Sequence, residues 1–379
     1  MVSTDFSPRS WGSGAYTKEL STVLAKENQV TVLATGISNT KAVDHGSPYQ
    51  IIRTPSLPIL RHIAFFIYFP WILWRHNIDA ALHVVWITAL ISHLWYCLLP
   101  VPYFVSVFGT EIRDDKTSWR RRLKGYLKGW RIVALRKAKG IFPISYYSAR
   151  LVTSLGIEQN RIEVIFCGVD TQRFKPSANY RNPDEQKKLL TVARLDLNKG
   201  HDRVFEALAI LNKQGITPDY TIVGQGHEEM RLRNMVRDLD LENQVVFTGF
   251  ISDNQLPAIY NSCDIYVMAS REIPGRLDLV EGFGISFLEA SASGLPVVAG
   301  DSGGISDAVQ HGKTGLLVNP DNPADIASAI KCLLTDDNFA RRLGNEGRRW
   351  TETQMSWEHV AKRMVNAMQR MMNKLSYVS

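Results

Sequence analysis

Residues 281–289 read Glu281-Gly282-Phe283-Gly284-Ile285-Ser286-Phe287-Leu288-Glu289. Two carboxylates eight apart flank a Gly-x-Gly, and the spacing predicts a helix over 287–293. Glycines at a helix start let a ligand approach the backbone, where unpaired amides and the helix dipole favour a phosphate. Glu281 lies before that helix and Glu289 within it, so the two can grip different parts of one long ligand. A carboxylate accepts two hydroxyl hydrogen bonds at once, which suits a sugar or a ribose. Glu289 is set among Phe287, Leu288, Ala290 and Ala292, and a carboxylate in such apolar company needs a partner.

A buried strand is predicted immediately afterwards, over 296–299, and this helix-then-strand step repeats along the chain. In the first half strands are expected over 29–33, 50–53, 80–85, 103–108, 140–143 and 162–165. In the second they fall at 188–193, 219–223, 245–248, 265–268, 296–299 and 315–318. Helical stretches lie between, at 15–26, 204–213, 228–239 and 324–334. Repeated strand–helix winding implies parallel sheets with right-handed crossovers. Residues 175–186, rich in Pro, Asn and charge, read as an interdomain linker. Two similar α/β domains follow, with a cleft between them and the chemistry in loops at the carboxyl ends of the strands. The expected bounds are 1–175 for an acceptor-side domain, 176–187 for the linker and 188–355 for a donor-binding domain. A C-terminal helix over 356–379 is expected to pack back toward the first domain.

Composition supports this. The chain has 379 residues, 45% of them hydrophobic, enough for two cores and too apolar for disorder. Residues 1–176 carry 22 Lys and Arg against 11 Asp and Glu, a net of +11, whereas the remainder is at −4. That asymmetry points to an anionic partner on the first half. The four cysteines are far apart and at no metal spacing, which argues against a disulfide framework or a zinc site and suits a reducing cytosol. Met1–Pro8 is short and polar, so no signal peptide is expected. Residues 1–4 read like the tail of a first strand whose beginning is short or missing. The apolar run 80–101 is long enough to cross a bilayer, yet a buried strand, helix and strand give the same hydropathy.

Three further stretches carry possible chemistry. Gly12 and Gly14 close a loop, 8–14, between the first strand and a helix. Arg194 and Lys199 bracket the loop after strand 188–193, where a planar fork and a point charge can together neutralise a diphosphate. Gly224 follows strand 219–223 and suits close backbone contact with a base or phosphate. Asp238-Leu239-Asp240 has the form of a metal-binding D-x-D, but it ends an amphipathic helix and reads as a solvated helix end.

Jointly these residues resemble the retaining family 4 glycosyltransferases. The resemblance rests on Glu281 and Glu289 with the run 290–299, on Gly303-Gly304, on 312–318, and on Gly168-Val169-Asp170 with Arg173, Phe174 and Pro176. Within the family, Arg194-Leu195-Asp196 and the loop 270–284 look most like the phosphatidylinositol-mannoside mannosyltransferases. The resemblance implies an α/β GT-B fold, two Rossmann-like domains with parallel sheets facing a central cleft. It implies Arg194, Lys199 and Glu281 as catalytic residues, the cations on the donor diphosphate and Glu281 on the transferred sugar. The amides near Phe283, Gly284 and Ile285 would assist, Glu289 would bind the ribose, and Gly12 and Gly14 would approach the reacting centre. It also implies front-face attack, with the leaving phosphate taking the acceptor proton, so that neither an enzymic nucleophile, a metal nor a cofactor is required. Phe108-Gly109 stands where the family usually has His-Gly, which touches donor placement.

The basic excess concentrates between Asp114 and Gly140, with ten Lys and Arg against two Asp. Trp119, Leu123, Tyr126, Trp130 and Val133 recur at helical spacing, while Arg120, Arg121, Lys124, Lys128 and Arg131 fall elsewhere around the turn. A basic helix with an aromatic face suits an anionic membrane, and 64–74, with three Phe, two Trp and a Tyr, offers a second greasy contact. The expectation is a hexosyltransferase, mannose favoured, peripheral at the cytoplasmic face of the membrane. Its acceptor would be a lipid-linked or phospholipid-type hydroxyl. A soluble or polysaccharide acceptor with a UDP-sugar fits the same motifs, since the base is met largely by backbone and shape. So does a non-catalytic nucleotide-sugar binder, which donor hydrolysis would separate from an enzyme. A nucleic-acid partner explains the charge but not Glu281 and Glu289.

Overall fold

The computed structural model describes residues 1–6, 12–36, 44–55, 61–109, 112, 121–177, 186–276 and 279–373, with the side chains of 61, 62 and 121–128 outside that description. The strands are β1 (Val2–Ser3), β2 (Thr31–Thr35), β3 (Gln50–Thr54), β4 (Ala81–His83), β5 (Tyr103–Val107), β6 (Gly140–Pro143), β7 (Lys188–Val192), β8 (Asp219–Val223), β9 (Val245–Gly249), β10 (Ile265–Met268), β11 (Val297–Gly300) and β12 (Gly315–Val318). Among the described residues they form two six-stranded sheets, β3-β2-β1-β4-β5-β6 and β12-β11-β10-β7-β8-β9. Every strand pairing is parallel. Each sheet therefore has the doubly wound order 3-2-1-4-5-6, reversing between its first and fourth strands. Ligands of such sheets bind outside the carboxyl ends at that reversal, which in the second sheet lies between β7 and β10.

The inner strands are buried on both faces, as continuous apolar runs under helices must be. Tyr103–Val107, Ile265–Met268 and Val297–Gly300 are buried throughout. This accounts for the hydropathy of 80–101, which contains β4 and the helix Trp86–Trp95. Among the described residues no helix is long and apolar enough to cross a membrane.

Helix His201–Asn212 shows how the second core closes. Val204, Phe205, Ala207, Leu208 and Leu211 are buried on one stripe, and each large apolar side chain so buried contributes about 1.5–3 kcal/mol. They pack with Leu189, Tyr220, Ile222 and Val267 of the sheet. A separate core in the first half gathers Val2, Leu33, Phe65, Val105 and Ile141.

The chain divides into two compact units, Met1–Cys167 with Trp357–Ser379, and Gly168–Ser356. The division thus falls before residue 175. Arg348 accounts for this: its guanidinium donates to the carbonyls of Thr171, Phe174 and Ala292, tying 171–174 to the second unit. Asn261 likewise holds Lys175 and Ser177, while 178–185 of the expected linker lie outside the described residues. The stretch 162–165 is not a strand. It runs beside β6, with the Glu163 and Ile165 amides donating to Ile141 and Pro143, but makes only the isolated bridge Ile141–Ile162. Asp238-Leu239-Asp240 closes its helix through a left-handed residue, Asp240 at φ 55°. The Leu241 amide reaches back to Val236 and the Asp240 amide to Arg237, a Schellman stop.

Candidate functional site

The loops at the reversal of the second sheet carry most of the residues singled out in the sequence. After β7 the backbone continues through Ala193 and Leu195, whose amides bond to the Val223 and Gln225 carbonyls at 3.0 Å. Arg194 is thereby turned outward, its side chain 61% exposed and paired with Asp196 at 2.9 Å. A 3-10 turn, Leu197–Lys199, then brings Lys199 back over the strand ends. Lys199 forms an ion pair with Glu281, and both side chains are largely buried. A charge pair held this far from water is sensitive to loss of either partner.

Glu281 comes from the loop after β10, of which 277 and 278 lie outside the described residues. Its carbonyl accepts the Gly304 amide at 2.9 Å, fixing the residue against the loop after β11. Phe283 is buried, so it offers its backbone rather than its ring. Gly284 adopts φ 93° at the N-terminus of helix Ile285–Ala292, and a Cβ there would run into the Phe287 ring. Ile285 opens the helix; the Phe287 amide turns back to the Gly284 carbonyl at 3.1 Å, while the Ile285 and Ser286 amides precede the first intrahelical acceptor. Gly224, at the end of β8, is similarly constrained: its φ is 140°, and a Cβ would strike the Ala193 carbonyl.

Glu289, one helical turn further in, receives the Tyr260 hydroxyl at 2.7 Å. Tyr260 is fully buried and stacked on Tyr266, ring centroids 5.9 Å apart. Burial and the neighbouring carboxylate hold the Tyr260 phenol well above its ordinary value, so it remains a proton donor. Tyr266 in turn donates to Ser286 at 2.7 Å. Sequence reasoning missed both tyrosines: the helix Leu256–Asn261 and β10 carry no motif, and only packing brings them beneath Glu289.

Two further supports were missed. Arg271 makes a two-pronged pair with Asp202, at 2.9 and 2.8 Å, and its amide donates to the Asn198 carbonyl. The loop after β10 is thus clamped to the loop that carries Lys199. His201 is buried with Nε2 3.2 Å from the Arg194 carbonyl. Burial pushes its imidazole down to about 4, so at neutral pH it is uncharged and its Nε2–H donates to that carbonyl.

Gly12 and Gly14 belong to the first unit. Gly12 has φ 65° at the start of helix Ser13–Leu24 and Gly14 is buried in its first turn, while 8–11 of that loop lie outside the described residues. Phe108 packs edge-on against Tyr16 at 5.2 Å, and Tyr16 against Trp357 at 5.5 Å. Trp119 and Arg120 lie outside the described residues. Arg121, Lys124 and Lys128 fall in helix Arg121–Lys137, their side chains not described, and Trp130 is exposed. Arg131, expected among the basic residues that would face the membrane, is instead buried, because that turn of the helix packs inward beside Ala134 and Leu135.

Two known families account for nearly the whole chain. Residues 12–173 match Glycosyltransferase Family 4, and residues 172–350 match Glycosyl transferases group 1. The chain belongs to the family 4 glycosyltransferases. This glycosyltransferase is 29% identical to the GDP-mannose-dependent alpha-(1-6)-phosphatidylinositol monomannoside mannosyltransferase of Mycobacterium tuberculosis, over 97% of this chain and 96% of that one. It is 27% identical to a GDP-mannose-dependent monoacylated alpha-(1-6)-phosphatidylinositol monomannoside mannosyltransferase of Corynebacterium glutamicum, over 97% of both. Its fold is GT-B. Sucrose-phosphate synthase from Thermosynechococcus elongatus matches it with a TM-score of 0.82 at 21% identity, over 98% of each chain.

Proposed function

We propose that this glycosyltransferase moves a hexose, mannose favoured, from a nucleotide-diphosphate sugar to a hydroxyl of a lipid-linked or phospholipid-type acceptor. The transfer would keep the anomeric configuration and take place at the cytoplasmic face of a membrane. The observation that carries this reading is the Lys199–Glu281 pair beside the glycine-opened helix Ile285–Ala292. It puts a cation, a carboxylate and helix amides at one strand reversal. The full-length likeness to GDP-mannose-dependent enzymes with phosphatidylinositol-mannoside acceptors favours mannose and a phospholipid. A solved structure of similar fold, HepE from Anabaena, was obtained with UDP and glucose (TM-score 0.78, 18% identity, 97% of this chain and 99% of that one).

In this reading Lys199 has two further N–H donors beyond the one committed to Glu281, and Arg194 its planar fork, for the donor's phosphate oxygens. Glu281 takes hydroxyls of the transferred sugar and Glu289 those of the ribose. Gly224 lets the backbone approach the nucleotide. The bond between the anomeric carbon and the phosphate oxygen breaks, and the acceptor oxygen attaches on the same face. The acceptor proton passes to the departing phosphate oxygen. The charge that develops there is met by fixed cations and helix amides, without metal or cofactor, and such preorganised donors are each worth about 3 kcal/mol.

The test is transfer of label from GDP-mannose into a phosphatidylinositol-mannoside acceptor in vesicles, with EDTA present and the product anomer read by NMR. Glu281→Gln and Lys199→Ala should each lower the rate about 100-fold or more. Unimpaired transfer by both variants, or an inverted product, would overturn the assignment. Release of free mannose without acceptor separates an enzyme from a passive binder.

A further inference from the structure

Helix Arg61–Arg75 is apolar all the way round. Phe65, Phe69, Ile72 and Leu73 are buried against the first sheet. The opposite arc carries Ile63, Phe66, Ile67, Trp71 and Trp74, every one exposed, Trp74 at 72%. At 100° per residue these five fall within about 140° of the helix circumference. A helix of this kind in a soluble core would be covered on both sides. The neighbouring helix, Trp86–Trp95, extends the band. The Trp95 indole donates to the Phe66 carbonyl at 3.1 Å, and their rings are 5.1 Å apart. Leu94, Tyr96 and Leu98 beyond it are exposed, Leu98 also at 72%. Apolar surface this continuous marks a docking face.

Its surroundings identify what covers it. Helix Trp86–Trp95 packs against helix Arg61–Arg75 on one side and helix Arg121–Lys137 on the other. The last carries seven Lys and Arg, of which Arg131 is buried, and no acidic residue, and between 61 and 100 the one acidic residue is Asp79. A two-fold dimer through this face would bring that cationic helix up to its own copy. An anionic lipid surface would meet it with opposite charge, worth about 1 kcal/mol per cation held near the surface. Trp, Tyr and Phe are the side chains that settle at the headgroup boundary, apolar body inward and polar edge outward.

We infer that the exposed aromatic arc of helix Arg61–Arg75, continued by Tyr96 and Leu98, is the face that enters the bilayer interface, while helix Arg121–Lys137 draws it to anionic lipid. The contact is in-plane, with the helix lying along the surface. Ile63 to Trp74 spans about 16 Å at 1.5 Å per residue. Because the helix returns from the carboxyl end of β3 to the amino end of β4, the Ile63 end of the band lies at the edge where such sheets meet their ligands. The inference deepens the acceptor half of the function proposed above, and its test keeps the two apart.

The full chain is floated with vesicles of phosphatidylcholine alone or with 40% phosphatidylglycerol. Donor binding is followed separately, as the thermal shift with GDP-mannose. The native chain should float with the anionic vesicles, and lipids brominated near the headgroup should quench its tryptophan fluorescence. Trp71→Ser with Trp74→Ser should lose at least tenfold in vesicle affinity while the GDP-mannose shift and the circular dichroism stay native. Lys124→Glu with Lys128→Glu should lose the preference for anionic lipid. Vesicle binding by the serine variant equal to native, or no native binding at all, would overturn the proposal. So would a concentration-dependent dimer that the serine variant abolishes, which would make the face a self-association surface. Loss of the GDP-mannose shift in the native chain would count against the donor reading and leave the vesicle result standing.

Discussion

At Glu289 the apolar setting visible in the sequence is met by the Tyr260 hydroxyl. Tyr260 supplies the hydrogen bond that a carboxylate inside a helix needs, and its buried phenol stays protonated at any working pH. Removing that hydroxyl leaves the carboxylate position and charge unchanged but its orientation loose. Tyr260→Phe should therefore weaken donor binding by about 1.5–3 kcal/mol, the usual worth of a bond to a charged group, with kcat for bound donor close to native. Calorimetric titration with GDP-mannose measures this. Affinity within twofold of native would show that Tyr260 does not position Glu289. Glu281, Glu289, Arg194 and Lys199 were legible because charge beside glycine at a strand end is a local pattern. Tyr260 was not, since it reaches Glu289 from 29 residues away through packing alone.

Between elements, the Arg271–Asp202 pair decides how the two loops of the site are held. Arg271 follows β10 and Asp202 opens the helix after Lys199, so their bond fixes the Lys199 loop against the loop that leads to Glu281. Both are largely buried, and breaking such a pair from one side costs about 3–5 kcal/mol. Arg271→Ala should lower the stability of the second unit by that amount and weaken GDP-mannose binding. Arg271→Ala with Asp202→Ala should cost less than the two singles added, because neither charge is then stranded. Strict additivity in urea denaturation would show the contact to be inert. Most strands were readable to within a residue or two, because a parallel sheet buried on both faces leaves an unbroken apolar run. The exception, 162–165, sets three β-branched residues around Glu163: Ile165 is buried beside β6, and burial without a ladder looks the same in sequence as burial within one. Arg131 was misplaced for the converse reason, since nothing local distinguishes a cation that packs inward from its exposed neighbours.

Over the whole molecule, the units are unequal in one respect: Gly168–Ser356 is continuous in sequence, whereas the first unit is completed only by Trp357–Ser379. Helix Trp357–Asn373 buries Trp357, Val360, Met364, Ala367 and Met371, and it packs on helix Ser13–Leu24, with Tyr16 against Trp357. A chain ending at Ser356 should lose the cooperative melting of its first unit while the second still melts near its native temperature. Calorimetry or limited proteolysis reads this directly, a protected fragment beginning near residue 168 being the expected product. A single transition unchanged from the full chain would refute it. The alternation of strands and helices announced two α/β units from sequence, but which unit owns each chain end depends on contacts between residues more than 300 positions apart.

That arrangement also sets an order of events on the ribosome. The usual sequence, in which an N-terminal domain folds while the rest is still being made, is not open to this chain. The first unit has its sheet early but lacks the helix that covers Tyr16 until residues 357–373 have been made, so the second unit, complete once Ser356 has emerged, is the one able to finish first. Until that helix emerges the half with the exposed tryptophans has an unfinished core as well, which makes it the natural client for chaperones.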